Sequence, residues 1–474
     1  MSIETALPIS YATDVTLGRA IFGHAQLGDK RRTDRLVETF DQMHKHPGGT
    51  LPEKLGDPAD LRGFYRLCKH KKVTHAALIA SAREHTLAKI AAYTGTVLVV
   101  HDATELDYSS LSSLVDDLGQ IGKGGGRGYI CQNVLAVAEE TGEVLGLFDQ
   151  ILHHRVDVPE KETAAEHRAR ESRESRLWLE GARYLPADKQ LIDITDQGSD
   201  TFEFLEHECH SGRRFVIRAH KTRKVYAGHE AVGPQIYLKD YANSLPELGR
   251  FTMDVQAQPG RKARQQAEFI VRGGAVLICP PHSKAGEHGN DPLPMYVVLA
   301  TEVNPPAGEK PIVWMLLTNT EVKTFEDAWR VIGWYERRWI IEEYHKAQKT
   351  GCRVEDMQFT SIDRLEPAIA LLSVLAVTLL NLRDLSLRPD AKTRKATTVL
   401  APDYVEVLSL WRHGEIRVEW TVHDFFFALA RLGGHQNRKS DRHPGWLVLW
   451  RGWTKLQAML DGYDAAKQKK WGIT

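Results

Sequence analysis

From about Thr86 onward the chain carries short apolar runs in a fixed order, and that order restricts its possible folds more than any other feature. Val97 to Val100, Val134 to Ala138 and Val144 to Phe148 read as three successive strands. A charged helix through Trp178 follows, then a fourth strand at Leu191 to Thr195 and a fifth at Phe215 to Ile217. Further apolar or alternating runs at Phe251 to Val255, Phe269 to Val271, Tyr296 to Leu299 and Val313 to Leu317 predict a β-rich insertion over about 225–318. Before this region, Leu36, Val37, Phe40 and Met43 recur at helical spacing until Pro47-Gly48-Gly49, and Leu61, Phe64, Tyr65 and Cys68 mark a second helix. Beyond Asp356 the pattern is mainly helical. An α/β class follows, with helical segments on both flanks.

Two of the strands lead into carboxylates. Val97 to Val100 runs into His101-Asp102, and Leu191 to Thr195 ends at Asp196. An aspartate at a strand end serves either as a turn former or cap, or as a ligand; Asp200, just after, reads as the N-cap of the segment from Thr201 to His210. Later in the chain Tyr335, Arg338, Glu342 and Lys349 fall at roughly 0°, 300°, 340° and 320° if the segment is one regular helix. That stripe is either a solvated face with ion pairs or a phosphodiester site. In the second case Glu342 joins Asp102 and Asp196 in holding two Mg²⁺ ions, which prefer oxygen ligands, while Arg and Lys neutralise phosphate oxygens.

Tyr335-x-x-Arg338-x-x-x-Glu342-x-x-x-x-x-x-Lys349 fits the YREK signature, and here the chain resembles the bacterial insertion-sequence DDE transposases that carry it. The string Arg337-Arg338-Trp339-Ile340-Ile341-Glu342-Glu343-Tyr344-His345-Lys346 is similar to that family as well. So are Leu27-Gly28-Asp29-Lys30-Arg31-Arg32-Thr33, Arg214-Phe215-Val216-Ile217-Arg218, Asn304-Pro305-Pro306, Ala430-Arg431-Leu432-Gly433-Gly434 and Leu460-Asp461-Gly462. The resemblance is collinear over nearly the whole chain. It implies a ribonuclease-H-like catalytic core at 86–366 with the β-rich insertion, a helical DNA-binding domain at 1–85 and a helical dimerisation domain at 367–474. It further implies a cut-and-paste transposase in which Asp102, Asp196 and Glu342 hold two Mg²⁺ ions, with Mn²⁺ able to substitute. Water cleaves the transposon end, the freed 3′-hydroxyl attacks the other strand or target DNA, and the end passes through a hairpin. Tyr335, Arg338 and Lys349 would hold phosphates and Trp314 would stack on a flipped base. Arg218, His345, Lys346, Arg31 and Arg32 are further candidate DNA contacts. Two departures, Ala103-Thr104 after the first Asp and Gln197 after the second, spare the carboxylates but leave end specificity open.

Net charge gives no help to a nucleic-acid reading, since Lys plus Arg equals Asp plus Glu at 62 each. Distribution does. Arg62, Arg66, Lys69, Lys71 and Lys72 lie in an acid-free stretch, and Arg213, Arg214, Arg218, Lys221, Arg223 and Lys224 form a second block. Each block is a solvated face or a phosphate track. The loop Gly122 to Gly128 is not a P-loop, because no Gly-Lys-Ser/Thr follows at the required spacing. Five scattered cysteines argue against a disulfide framework, and with no signal peptide in the first residues they point to the cytoplasm. His207, Cys209 and His210 have no second pair at zinc spacing. The apolar stretch Ala368 to Leu380 is shorter than the roughly 20 residues of a membrane span and reads as a buried helix. Trp446, Leu449, Trp450, Trp453, Leu456 and Leu460 form one apolar stripe, expected at a homodimer interface by the resemblance and in the core by the bland reading. The rival functions are a metal-dependent DNA nuclease and a catalytically silent DNA-binding regulator.

Overall fold

Side chains of the strand β1 (Val97–Asp107) alternate between two apolar layers, as the two-residue period of a strand dictates. Leu98 and Val100 enter one core, Val97 and Val99 enter another on the opposite face, and all four are fully buried. The sheet is therefore covered on both sides. The structure is a computed structural model that describes residues 15–155, 173–257, 261–281, 288–417, 419–438 and 443–468, with Thr163, Glu166 and Asp441.

Among the described residues twelve strands form one mixed sheet. Besides β1 they are β2 (Gly119–Ile121), β3 (Gly126–Ala138), β4 (Val144–His153), β5 (Leu191–Thr195), β6 (Arg214–Arg218), β7 (Lys224–Ala227), β8 (Ile236–Tyr237), β9 (Glu247–Val255), β10 (Arg264–Ile278), β11 (Leu293–Glu302) and β12 (Val313–Thr318). The order is β2-β3-β1-β5-β6-β12-β11-β10-β7-β8, with β4 on β3 and β9 on β10. β1 pairs antiparallel with β3, whereas β1–β5 and β5–β6 are parallel. The runs read as strands all lie in strands, most of them longer than the apolar run itself. The expected insertion adds its strands to the same sheet through the β6–β12 pair. Of the charged helix expected before β5, residues 177–182 are helical; residues 156–162, 164, 165 and 167–172 lie outside the described set.

Among the described residues five helices precede the sheet: α1 (Leu17–Phe22), α2 (Lys30–Lys45), α3 (Leu51–Leu55), α4 (Pro58–Cys68) and α5 (His75–Ala92). Their starts are written locally. Asp29 and Asp57 cap α2 and α4 by accepting from Arg31 and Ala59 N–H groups, and Pro58 occupies a first-turn position where no N–H is needed. α5 runs through the boundary expected at residue 85 and lies against β4. Within the sheet region come α6 (Leu177–Ala182), α7 (Phe202–His210), α8 (Leu238–Ser244), α9 (Phe325–Glu336) and α10 (Trp339–Lys346). The C-terminal group is α11 (Ile362–Leu379), α12 (Asn381–Leu387), α13 (Pro402–His413), α14 (Val422–Leu432) and α15 (Trp446–Gln468).

The apolar stretch lies buried as expected: the helical segment Ile362–Leu387, which is longer than the apolar run alone, meets the length and hydropathy of a membrane span, yet 89% of its apolar window is covered by the protein itself. The apolar stripe of α15 requires a correction. Trp446, Leu449, Trp450, Trp453, Leu456 and Leu460 are all buried within the chain, against α13 and α14, so they are core and not a free dimer face. Trp446 even donates its indole N–H to the Leu379 carbonyl at 2.8 Å. The five cysteines are free thiols.

Candidate active site

Asp102 is in the interior of β1, not at its end. What ends there is the parallel ladder with β5, whose last pair is His101 with Thr195, so Asp102 and Asp196 are the next residues on two adjoining strands. Adjacent strands run about 4.8 Å apart. Both aspartates share the parity of Val100 and Ile194, which places them on the face of the larger helical core. Asp102 and Asp196 are thus brought side by side by register alone.

The helix carrying Glu342 lies over this point, and its construction differs from the single regular helix the sequence suggests. α9 ends at Glu336, α10 begins at Trp339, and Ala347–Gly351 is a π-helical turn, a feature enriched at functional sites. Arg338, in the break, is the centre of the site. One guanidinium nitrogen donates to Asp102 Oδ2 at 2.8 Å and another to Glu342 Oε1 at 3.0 Å. Burial pushes the Asp102 carboxyl up to about 6 against the pull of Arg338, and the charges of Asp196 and Glu342 push the same way. Burial also raises Asp196, opposed by the Gly198 N–H, Arg338 and Arg218. Among the described residues no three His, Cys, Asp or Glu side chains form a ready-made cation site; between Asp102 and Glu342 stands the guanidinium. The donor chemistry still suits Mg²⁺: hard oxygen donors, part-buried, whose charge a cation would compensate.

The remaining candidates divide. Tyr335 is 5% exposed, and its hydroxyl has no hydrogen-bond partner among the described residues. Its ring meets Trp314 edge-on at 6.1 Å, and Trp314 stacks on Phe269 at 6.4 Å. Trp314 therefore packs beside the site. Lys349 turns along β1, donating to the Glu105 carbonyl and pairing with Glu355 at 3.2 Å. Arg218 lies at the end of β6 with a long contact to the Val313 carbonyl at 3.4 Å. His345, expected on DNA, faces inward: its Nε2 meets Asn133 Nδ2 at 3.2 Å. Burial, with Lys349 and Arg338, pulls its pKa down to about 3, so the ring is neutral. Lys346 is exposed, its ammonium 5.7 Å from the ring of Trp339, which is itself 52% exposed.

Asn133 escapes the sequence analysis although it opposes Asp102 in the β1–β3 register. It accepts from Gln150 at 2.7 Å, and Gln150 in turn meets His75 at 3.0 Å, so α5, β4, β3 and α10 are joined by one chain of polar groups. The signal was present, since Gln132-Asn133 interrupts an otherwise apolar run. On the opposite face a second network fastens β1 to β5. His101 Nε2 meets Asp193 Oδ1 at 2.8 Å, Arg213 donates to Asp193 Oδ2 at 2.5 Å, and Arg213 reaches Glu208 at 3.2 Å. Glu208 is pushed well above its ordinary value by burial and by the charge of Asp193. Asp193, despite burial, is held below its own by His101 and Arg213.

Arg213 is therefore withdrawn from the second basic block. So is Arg223, which binds Asp200; Asp200 also accepts from the His220 and Lys221 N–H groups at 2.6 Å each, while Thr201 caps α7 in its place. The first block stays at the surface: Arg62, Arg66, Lys69, Lys71 and Lys72 are all exposed, and none forms an ion pair among the described residues. Arg31 projects from α2 with its side chain 93% exposed, whereas Arg32 is tied to the Leu27 carbonyl at 2.7 Å. His207, Cys209 and His210 gather no cation site. Residues 19–73, the segment that holds this basic surface, match the family described as transposase DNA-binding, which supports reading the chain as a transposase that binds DNA.

Proposed function

We propose that the protein is a cut-and-paste DNA transposase of the DDE type, with a ribonuclease-H-like core built on β4-β3-β1-β5-β6. The observation that carries this reading is the register of β1 and β5, which sets Asp102 and Asp196 side by side beneath Glu342, in a chain whose residues 19–73 match transposase DNA-binding. Strand order agrees with it, with three antiparallel strands followed by two parallel ones.

Asp102, Asp196 and Glu342 are the residues that would hold two Mg²⁺ ions. Such ions, when bound, supply activation of the attacking oxygen and stabilisation of the leaving one. The chain's own residues do the rest. The exposed cations of α4 and the turn after it, with Arg31, seat the transposon end by its phosphates. Arg338 and the unpartnered Tyr335 hydroxyl face the phosphates nearest the scissile bond, and Lys349 backs them from the π-helical turn. Trp314, next to Tyr335, receives an unstacked base during hairpin formation. Mn²⁺ would substitute for Mg²⁺, and synapsis of two ends calls for a homodimer through a surface other than the α15 stripe.

The test is incubation of the purified protein and Mg²⁺ with a labelled duplex carrying the terminal repeats that flank its gene. Nicks at the repeat boundary, then hairpins and joined products, are expected. Asp102→Ala, Asp196→Ala and Glu342→Ala should each abolish cleavage while end binding persists. Scattered cutting without joining would make it a nuclease, and binding without cutting a silent regulator.

A further inference from the structure

We propose that Arg338 is a displaceable counter-cation of the carboxylate site, so that binding of divalent cations and binding of DNA are coupled through its movement. This rests on the reading of Asp102, Asp196 and Glu342 as cation ligands. The guanidinium takes one oxygen of Asp102 at 2.8 Å and one of Glu342 at 3.0 Å. Those two carboxylates come from different elements, a strand and a helix, and Arg338 is the bridge between them. It is also the positive group common to all three acids, since its charge acts on Asp196 as well. Its side chain is only 17% exposed, so water screens these contacts little.

Arginine does not surrender its proton in proteins, so it cannot leave the site by titration and has to move. Something must then receive the guanidinium. A phosphodiester offers two oxygens in the geometry that a guanidinium fork binds best. Beside Arg338 the ring of Tyr335 lies 6.0 Å from the guanidinium carbon, and its hydroxyl has no partner among the described residues, so a phosphate held here meets two donors at once. Withdrawal of Arg338 onto a phosphate leaves Asp102 and Glu342 without their counter-charge, and their affinity for a divalent cation rises at that moment. DNA thereby licenses the cation site, and cutting is suppressed on the free protein. Linkage requires the converse, that a bound cation raises DNA affinity by the same factor.

The test uses full-length protein and Ca²⁺, an oxygen-seeking cation, titrated by calorimetry with and without a terminal-repeat duplex, the duplex alone being subtracted. Without DNA, Arg338→Ala is expected to bind Ca²⁺ at least tenfold more tightly than wild type. Arg338→Lys, which keeps the charge but cannot bridge two carboxylates as a fork, should fall between. DNA should tighten Ca²⁺ binding to wild type severalfold and leave Arg338→Ala unchanged. An arginine that merely braces the fold predicts the reverse, weaker Ca²⁺ binding in both variants, and that result or equal affinities would overturn the proposal. Asp196→Ala separates the two levels: if no Ca²⁺ binding depends on Asp196, with or without DNA, the cation site itself is wrong.

Discussion

Arg213→Met should be among the most damaging single changes in the protein, although Arg213 lies on the face of the sheet away from Asp102. The Asp193 and Glu208 side chains are fully buried, and Arg213 is 4% exposed. Burial and the charge of Asp193 push Glu208 well above its ordinary value, whereas Asp193, despite burial, is held below its own by His101 and Arg213. Arg213 closes this network, reaching Asp193 at 2.5 Å and Glu208 at 3.2 Å. Methionine fills much of the arginine's volume, which keeps the cavity contribution small. What remains is a buried Asp193 carboxylate without the guanidinium that met it. Breaking a buried pair in this way costs about 3–5 kcal/mol, and two lost bonds involving a charged group, at about 1.5–3 kcal/mol each, give an overlapping range of about 3–6 kcal/mol. A loss of about 4 kcal/mol is expected in guanidinium denaturation followed by circular dichroism. Asp193→Asn with Arg213→Met removes both charges and should recover about half of it. A single-variant loss under about 1 kcal/mol, or a double variant no better than the single, would refute the claim that the pair is desolvated.

Three further outcomes follow from the same structure. His44 is 9% exposed, and burial pulls its pKa down from 6.5 to about 4; because the unfolded chain then binds the extra proton, stability is complete above pH 6.5 and falls by about 3 kcal/mol as pH drops to 4. His44→Leu should remove that dependence, and an unchanged slope in denaturation curves at pH 7 and 4.5 would count against a neutral buried ring. On α15, a Cβ at Gly452 would collide with the Leu429 carbonyl of α14, while one at Gly462 would meet nothing within 4 Å; Gly452→Ala should cost about 1–3 kcal/mol and Gly462→Ala should gain up to about 1 kcal/mol. Neutralising Arg62, Arg66, Lys69, Lys71 and Lys72 together should flatten the dependence of DNA affinity on log salt by about 0.9 per lost phosphate contact, and an unaltered slope would show that this face does not carry DNA.

Local pattern made much of the molecule legible. Runs such as Val97 to Val100 and Leu191 to Thr195 are strands because β-branched residues at that length have little alternative, and the capped starts of α2 and α4 are written in Asp29 and Asp57-Pro58. The pairing of Arg338 with Glu342 needed only their spacing of one helical turn. The stripe of α15 misled because an apolar face shows that something will be buried and not what covers it. The helix from Tyr335 to Lys349 misled because backbone breaks at Arg337 and at Ala347 leave no mark in a residue count.

The sequence by itself determined which segments are strands, that Asp102 and Asp196 follow two of the apolar runs, and that residues 61–80 hold five lysines and arginines and no acid. Only the tertiary structure decided that Asp102 and Asp196 are neighbours, that Asn133 and His345 join β3 to the helix above, and that Arg213 and Arg223 face acids instead of solvent. The reason is the range of the interactions. Strand and cap signals are encoded within a few residues. The approach of groups 94 positions apart, as for Asp102 and Asp196, depends on sheet order and register. Burial of a charge depends on which distant partner arrives to meet it.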